Sequence, residues 1–301
     1  MASPRERSAL RAAGWMAASI ASFILMSVAA RQLTSHLATF EILFFRSAVA
    51  LIALLALRPR LGAAAYETRR LPLHIARNGI HFLGQYAWVL GIGLAPLAVV
   101  TAVEFTTPVW VALLAAAFLG ERLSPPRWLA IGAGVAGVLV IVRPGANAVG
   151  PAALIVLAGS FFFAASILVV KSLLRTDQVT AIIFYMSVIQ LPIGLVGALF
   201  SWAWPTWSDL PWIAVVGLVS LTAHYSMGRA LSLGDASFVL PLDFLRLPCI
   251  ALSALAIYGE RIDAWTILGA GLIFAGNYWS VRREMRAAVP ARRTLPDPAA
   301  P

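Results

Sequence analysis

The sequence predicts an all-α membrane protein in which ten transmembrane helices form two inverted five-helix repeats. Three observations predict it. Of 301 residues, 60% are hydrophobic and only 12% are charged. A soluble domain carries roughly 25% charged residues and has no single core able to hide so much apolar surface. The apolar residues gather in ten stretches, and about 20 such residues cross the hydrocarbon layer as a helix that pairs its own backbone groups. Residues 84–143 also recur as residues 223–282 at a constant offset of 139.

The first span, 12–30, follows a tail (1–11) holding Arg5, Arg7 and Arg11. Val28–Ala29–Ala30 resembles a signal-peptidase site, but the apolar run is longer than a signal core and is read as retained. The second span, 39–57, stops at Arg58–Pro59–Arg60. The third, 74–94, and the fourth, 96–118, are divided only by Leu94–Ala95–Pro96, and the fourth ends before Gly120–Glu121–Arg122. The fifth, 126–142, is glycine-rich and stops at Arg143–Pro144–Gly145. The second half repeats this plan with spans at 150–171, 179–203, 211–231, 236–258 and 264–281, the first two divided by Arg175–Thr176–Asp177. The repeats thus run from 12 to 143 and from 150 to 282. The tail 287–301 has no apolar periodicity and reads as disordered.

A net charge of +10 invites a nucleic-acid partner, but the basic residues sit in short loops and tails rather than in a patch interleaved with aromatics. With the N-terminus inside, 17 of the 23 Lys and Arg residues fall on cytoplasmic segments and three on outside loops. That bias predicts an inner (plasma) membrane protein with both termini cytoplasmic, and no nucleic-acid role. The single cysteine, Cys249, rules out an internal disulfide framework and reads as an apolar packer.

Within the repeat, Tyr86 falls on Tyr225, Phe105 on Phe244, and Gly120–Glu121–Arg122 on Gly259–Glu260–Arg261. Gly132 and Gly137 meet Gly271 and Gly276, and Glu104, an acid inside a span, meets the acid Asp243. Two unrelated apolar stretches share Ala and Leu by chance, but not this combination. An odd number of spans per half makes equivalent helices run in opposite directions. Folds of that kind place their site near the midplane between the halves, with access alternating as one half rocks on the other.

The stretches FEILFFR (40–46), EFTTPVWVALLAAAFLGERL (104–123), GVLVIVRPG (137–145), LPLDFLRLP (240–248) and ALAIYGERI (254–262) resemble the EamA-type repeats of the drug/metabolite transporter superfamily. The resemblance covers residues 12–282. It implies a ten-helix carrier from a class that includes importers of S-adenosylmethionine and riboflavin and exporters of amino acids, without singling out one substrate.

Charges near the middle of a span are costly and face a cavity or a partner, which makes them site candidates. Arg46 lies in the second span, and Glu104 lies roughly 12 Å into the fourth at the helical rise per residue. Asp243 and Arg246 share the ninth, spaced i, i+3 for a local pair. Glu104 has no cation one turn away in its own helix, so its partner comes from elsewhere, with Arg46 and Arg77 as candidates. Pro108 and Pro248 free the carbonyls of Glu104 and Phe244, and Pro241 frees that of Ser237, beside the two acids. On the third span, Arg77, His81 and Gln85 share one face near Trp88. Arg77 is close enough to the cytoplasmic end to snorkel, whereas His81 and Gln85 lie deeper. The equivalent helix carries His224 and Tyr225. The glycines of spans five and ten read as packing faces, the Gly-Glu-Arg blocks as salt-bridged helix-end caps, and Trp110, Trp128 and Trp265 as interfacial or lipid-facing anchors.

No GxxxxGK[ST] loop supports an ATP-driven pump, and no HExxH or other ligand spacing among the four histidines supports a metalloprotease. The reading is therefore a secondary or facilitated transporter, not an enzyme, with no cofactor and no metal. Its expected partners are the lipid bilayer and a small polar substrate: an amino acid, a nucleoside-like or an S-adenosylmethionine-like metabolite. A proton as coupling ion and a homodimer both stay open, as does either direction of flux. A membrane-embedded enzyme or scaffold is the alternative class.

Overall fold

The computed structural model describes residues 4–120, 123–143, 150–233 and 242–293, and all regular structure among them is helical. The helices are α1 (Pro4–Leu33), α2 (Thr39–Leu61), α3 (Leu71–Leu94), α4 (Leu97–Glu104), α5 (Thr107–Leu119), α6 (Pro125–Val142), α7 (Gly150–Leu173), α8 (Val179–Ala198), α9 (Leu210–Leu233), α10 (Arg246–Tyr258) and α11 (Ala264–Arg293). A 3₁₀ turn at Ala63–Tyr66 joins α2 to α3. α1 begins inside the segment read as the N-terminal tail, and the backbone of α11 continues to Arg293. The rest of the C-terminal tail, Pro241 with its freed Ser237 carbonyl, and Glu121–Arg122 lie outside the described residues.

Among the described residues, seven stretches are long and apolar enough to cross a membrane, and α10 is a shorter apolar helix. Length and hydropathy alone do not pick out all of the expected ten, for physical reasons. α3 carries His74, Arg77, Asn78, His81 and Gln85, and α11 carries Thr266, Asn277 and Ser280, all buried. These polar groups face protein rather than lipid, so mean hydropathy understates such helices. The ninth expected span loses its first turns to the undescribed residues 234–241.

The fourth span, expected as one helix, is broken into α4 and α5 at Phe105–Thr106. Pro108 cannot donate to the Glu104 carbonyl. That carbonyl is not left unpaired as expected, because the Thr107 hydroxyl donates to it at 2.6 Å. Asn277 of α11 donates to the Phe105 carbonyl at 2.8 Å. The ninth span has its own turn at the equivalent place, Phe244–Leu245, and there the Leu247 amide reaches the Phe244 carbonyl at 3.3 Å.

Each half packs on the other through equivalent helices. α1 lies on α9, where Ser22 and Thr222 share a hydrogen bond of 2.9 Å and Ser19 donates to the Ala223 carbonyl at 3.0 Å. α3 lies on α7 in the same way, with Gly84 against Gly159. α2 meets α8, α4 meets α10, and α6 meets α11. On the last pair Gly137 abuts Gly269, and a Cβ on Gly137 would sit 2.6 Å from the Gly269 carbonyl oxygen. Gly276 abuts Ala130 in the same pair, so positions rise along α6 as they fall along α11 and the helices are antiparallel. Under the offset of 139 these two contacts are one contact seen twice. Gly132 and Gly271, expected in the packing face, point to open space instead. Gly120 and Gly259 close α5 and α10 with φ of +66° and +64°, a left-handed cap that suits glycine.

Part of the main core lies at one end of the bundle. Leu33, Ile42, Ile92, Leu97 and Ile141 are buried in the main core there. Glu260 caps that end, but its partner is not the neighbouring Arg261 of the expected salt-bridged block. It pairs with Arg31 at 2.9 Å and accepts the Leu97 amide at 2.9 Å, joining the α10–α11 turn to α1 and α4.

Candidate functional site

The two interrupted spans deliver their acids to one arginine. Arg246, at the start of α10, donates to Glu104 at 3.1 Å and lies 3.6 Å from Asp243, one turn back. Glu104 therefore finds its cation on the opposite repeat. Arg46 and Arg77, expected as its partners, lie elsewhere. The second Glu104 oxygen accepts the Trp88 indole N–H at 2.9 Å. The Arg246 guanidinium is clamped between the rings of Phe23 and Phe105, 4.8 and 4.9 Å from their centroids, a contact that favours a planar cation. Its side chain is 7% exposed, against 17% for Glu104 and 20% for Asp243. One Asp243 oxygen is buried with no hydrogen-bond partner.

A second polar group adjoins the first. Arg46 of α2 donates to the side-chain oxygens of Gln85 on α3 and Gln190 on α8, at 2.9 and 2.6 Å. The Gln190 amide in turn lies 3.3 Å from His81 Nδ1. His224, on α9, sets its ring 6.4 Å from that of His81, and its Nδ1 lies 2.8 Å from the Ser220 carbonyl. Phe23 touches both His224, at 5.7 Å, and Arg246, so the two groups share one aromatic wall.

Arg77 does not snorkel. α3 packs on both α7 and α8, which leaves the side chain no route to the interface. It turns inward, 4% exposed, and donates to Asn78 at 2.6 Å. Tyr225 does not join the site either. It is 46% exposed and packs edge-on against Trp15 at 5.9 Å, because its place next to His224 turns it about 100° around the helix. Glu104, Asp243, Arg246, Arg46, His81, Gln85 and His224 therefore converge and Tyr225 stands apart. Gln190 and Phe23 were missed. The signal for Gln190 was a lone amide in the apolar run 179–203; Phe23 carried none.

Near the other end of the bundle, Asp177 in the α7–α8 turn accepts from His74 of α3 at 2.8 Å, from Thr176 at 2.6 Å and from Thr68. Burial pushes this carboxyl up, but the hydrogen bonds outweigh burial and hold it at about 2. Arg70 adds bonds to Ser172 at 2.8 and 2.9 Å. These contacts fasten the start of α3 to the second half.

The EamA-like transporter family model matches residues 10–143 and 150–282. The riboflavin transporter of Rhizobium johnstonii is 32% identical over 275 residues, which cover 90% of this chain and 91% of that protein. The S-adenosylmethionine uptake transporter of Rickettsia bellii is 26% identical, covering 91% and 94%. A pseudopaline exporter of Pseudomonas aeruginosa is also 26% identical, covering 84% and 89%. One solved crystal structure shares the fold with a TM-score of 0.63, over 89% of this chain and 96% of its own, at 18% identity.

Proposed function

The chain belongs to the EamA-like transporter family, and from that premise we propose a carrier working by alternating access around the Glu104–Arg246–Asp243 group. Its activity is the transport of a small metabolite rather than catalysis. The chain crosses a bacterial inner membrane ten times as two inverted five-helix repeats, with both termini in the cytoplasm. The positive-inside bias supports this topology, and so does the antiparallel packing of α6 on α11.

The observation that carries the reading is the single arginine shared by two acids from opposite repeats. Rocking one half against the other must change that shared contact, so a ligand that competes for the carboxylates favours one arrangement over the other. The relatives named for riboflavin, S-adenosylmethionine and pseudopaline all handle polar organic molecules. A polar, dipolar metabolite suits a seam with acids at one side and arginines at the other. Glu104 binds either the substrate or a coupling proton.

Reconstituted Glu104→Gln protein tests this, with riboflavin and S-adenosylmethionine as trial substrates. The variant keeps the Trp88 hydrogen bond and should fold. Removing a charged partner from a buried contact with a ligand costs about 2–5 kcal/mol of binding, so flux at subsaturating substrate should fall by roughly tenfold or more. Counterflow exchange separates the roles: a proton carrier loses uphill flux and keeps exchange, whereas a substrate ligand loses both. Unchanged flux and an unchanged pH profile would reduce Glu104 to a packing role.

A further inference from the structure

Three guanidiniums and two carboxylates meet in the central seam, and the acids are both taken by Arg246. Arg46 and Arg77 are left without a counter-ion. Each is 4% exposed, and among the described residues no carboxylate pairs with either. Their partners are the amide oxygens of Gln85, Gln190 and Asn78, which solvate a cation without cancelling its charge. The Nε of each arginine is buried with no partner at all. The two lie within electrostatic reach of each other and of His81 and His224.

Two uncancelled cations inside a bilayer are among the most costly arrangements a helix bundle can hold. A fold that needed them only for packing would have supplied an acid. We propose that Arg46 and Arg77 form the seat of an oxyanion, a carboxylate or phosphate carried by the transported metabolite. This rests on the carrier reading above and gives the substrate a direction. Its anionic end sits between α2, α3 and α8, where guanidinium forks match the paired oxygens of such a group. Its other end reaches past Phe23 toward the unpartnered Asp243 oxygen, which calls for a hydrogen-bond donor or a cation. A monoanion neutralises the five-charge seam.

The test is thermal unfolding of the purified full-length protein in detergent, with matched probes. Riboflavin 5′-phosphate is compared with riboflavin, S-adenosylmethionine with its decarboxylated form, and inorganic phosphate with acetate as minimal oxyanions. Stabilisation by the oxyanion-bearing member of at least one organic pair, at concentrations where its partner has no effect, is the expected result. The first pair reports a phosphate and the second a carboxylate. In the absence of any probe, Arg46→Gln and Arg77→Gln should each raise Tm, because each removes an unpaired buried charge, and each should abolish the oxyanion-dependent shift. Partners lacking the oxyanion that stabilise equally well would overturn the proposal. So would an absence of any shift across the panel, or a lowered ligand-free Tm in both variants, which would mark the arginines as structural. Binding is read without flux. A wild-type protein that transports riboflavin while ignoring every oxyanion would leave the carrier intact and this proposal refuted.

Discussion

Arg246 holds two acids at once, so the three side chains are unequal under substitution. Arg246→Gln strands Glu104 and Asp243 together, whereas Asp243→Asn leaves Arg246 its shorter contact with Glu104. Breaking a buried pair costs on the order of 3–5 kcal/mol. Arg246→Gln should lose stability of that size and Asp243→Asn clearly less, as read from unfolding of the purified variants. Equal losses would mean that Arg246 serves Asp243 alone. The acids and Arg246 were legible in the sequence because a charge inside an apolar run stands out. Their pairing was only half legible. The i, i+3 spacing showed Asp243 with Arg246, but Glu104 is joined to an arginine 142 positions away, which helical periodicity does not reach. Arg77 was misjudged because distance from a helix end says nothing of what packs around it. Gln190 carries a weaker signal, because one amide among apolar residues resembles a packing hydrogen bond until Arg46 is seen beside it.

At the scale of the element, the helices themselves were largely legible and their interruptions were not. Pro108 and Pro248 marked where a hydrogen bond must fail. The sequence did not reveal that Thr107 would take the orphaned Glu104 carbonyl, or that the span would divide there. The sequence shows glycine faces but not what each glycine meets, and glycines on one helix have different neighbours. Gly137 meets the backbone of α11, while Gly132 meets nothing within 4 Å. Gly137→Ala must therefore push α6 and α11 apart and should cost about 1–3 kcal/mol, as overpacking does. Gly132→Ala should leave stability unchanged or slightly higher, through better helix propensity. Tm values of the two variants decide it, and a neutral Gly137→Ala would show that the interface has slack.

For the whole molecule, the proposed topology of five spans per half predicts residues 120–127 on the cytoplasmic side and 259–263 on the opposite side. Single cysteines in a Cys249→Ala background should label with an impermeant thiol reagent from opposite faces; labelling of both from one face would refute the inversion. The repeat was the feature most fully legible, because an ungapped offset carries glycines, aromatics and acids together. The contact between α6 and α11 carries a consequence for ancestry. Gly137 on Gly269 and Gly276 on Ala130 form the self-complementary patch of a two-fold dimer, in which a surface meets its own copy. Were each half a separate polypeptide, any substitution in that patch would be felt on both sides of the axis at once. Joined in one chain, the two copies of the patch are free to drift apart, and Ala130, standing at the position equivalent to Gly269, is that drift already recorded.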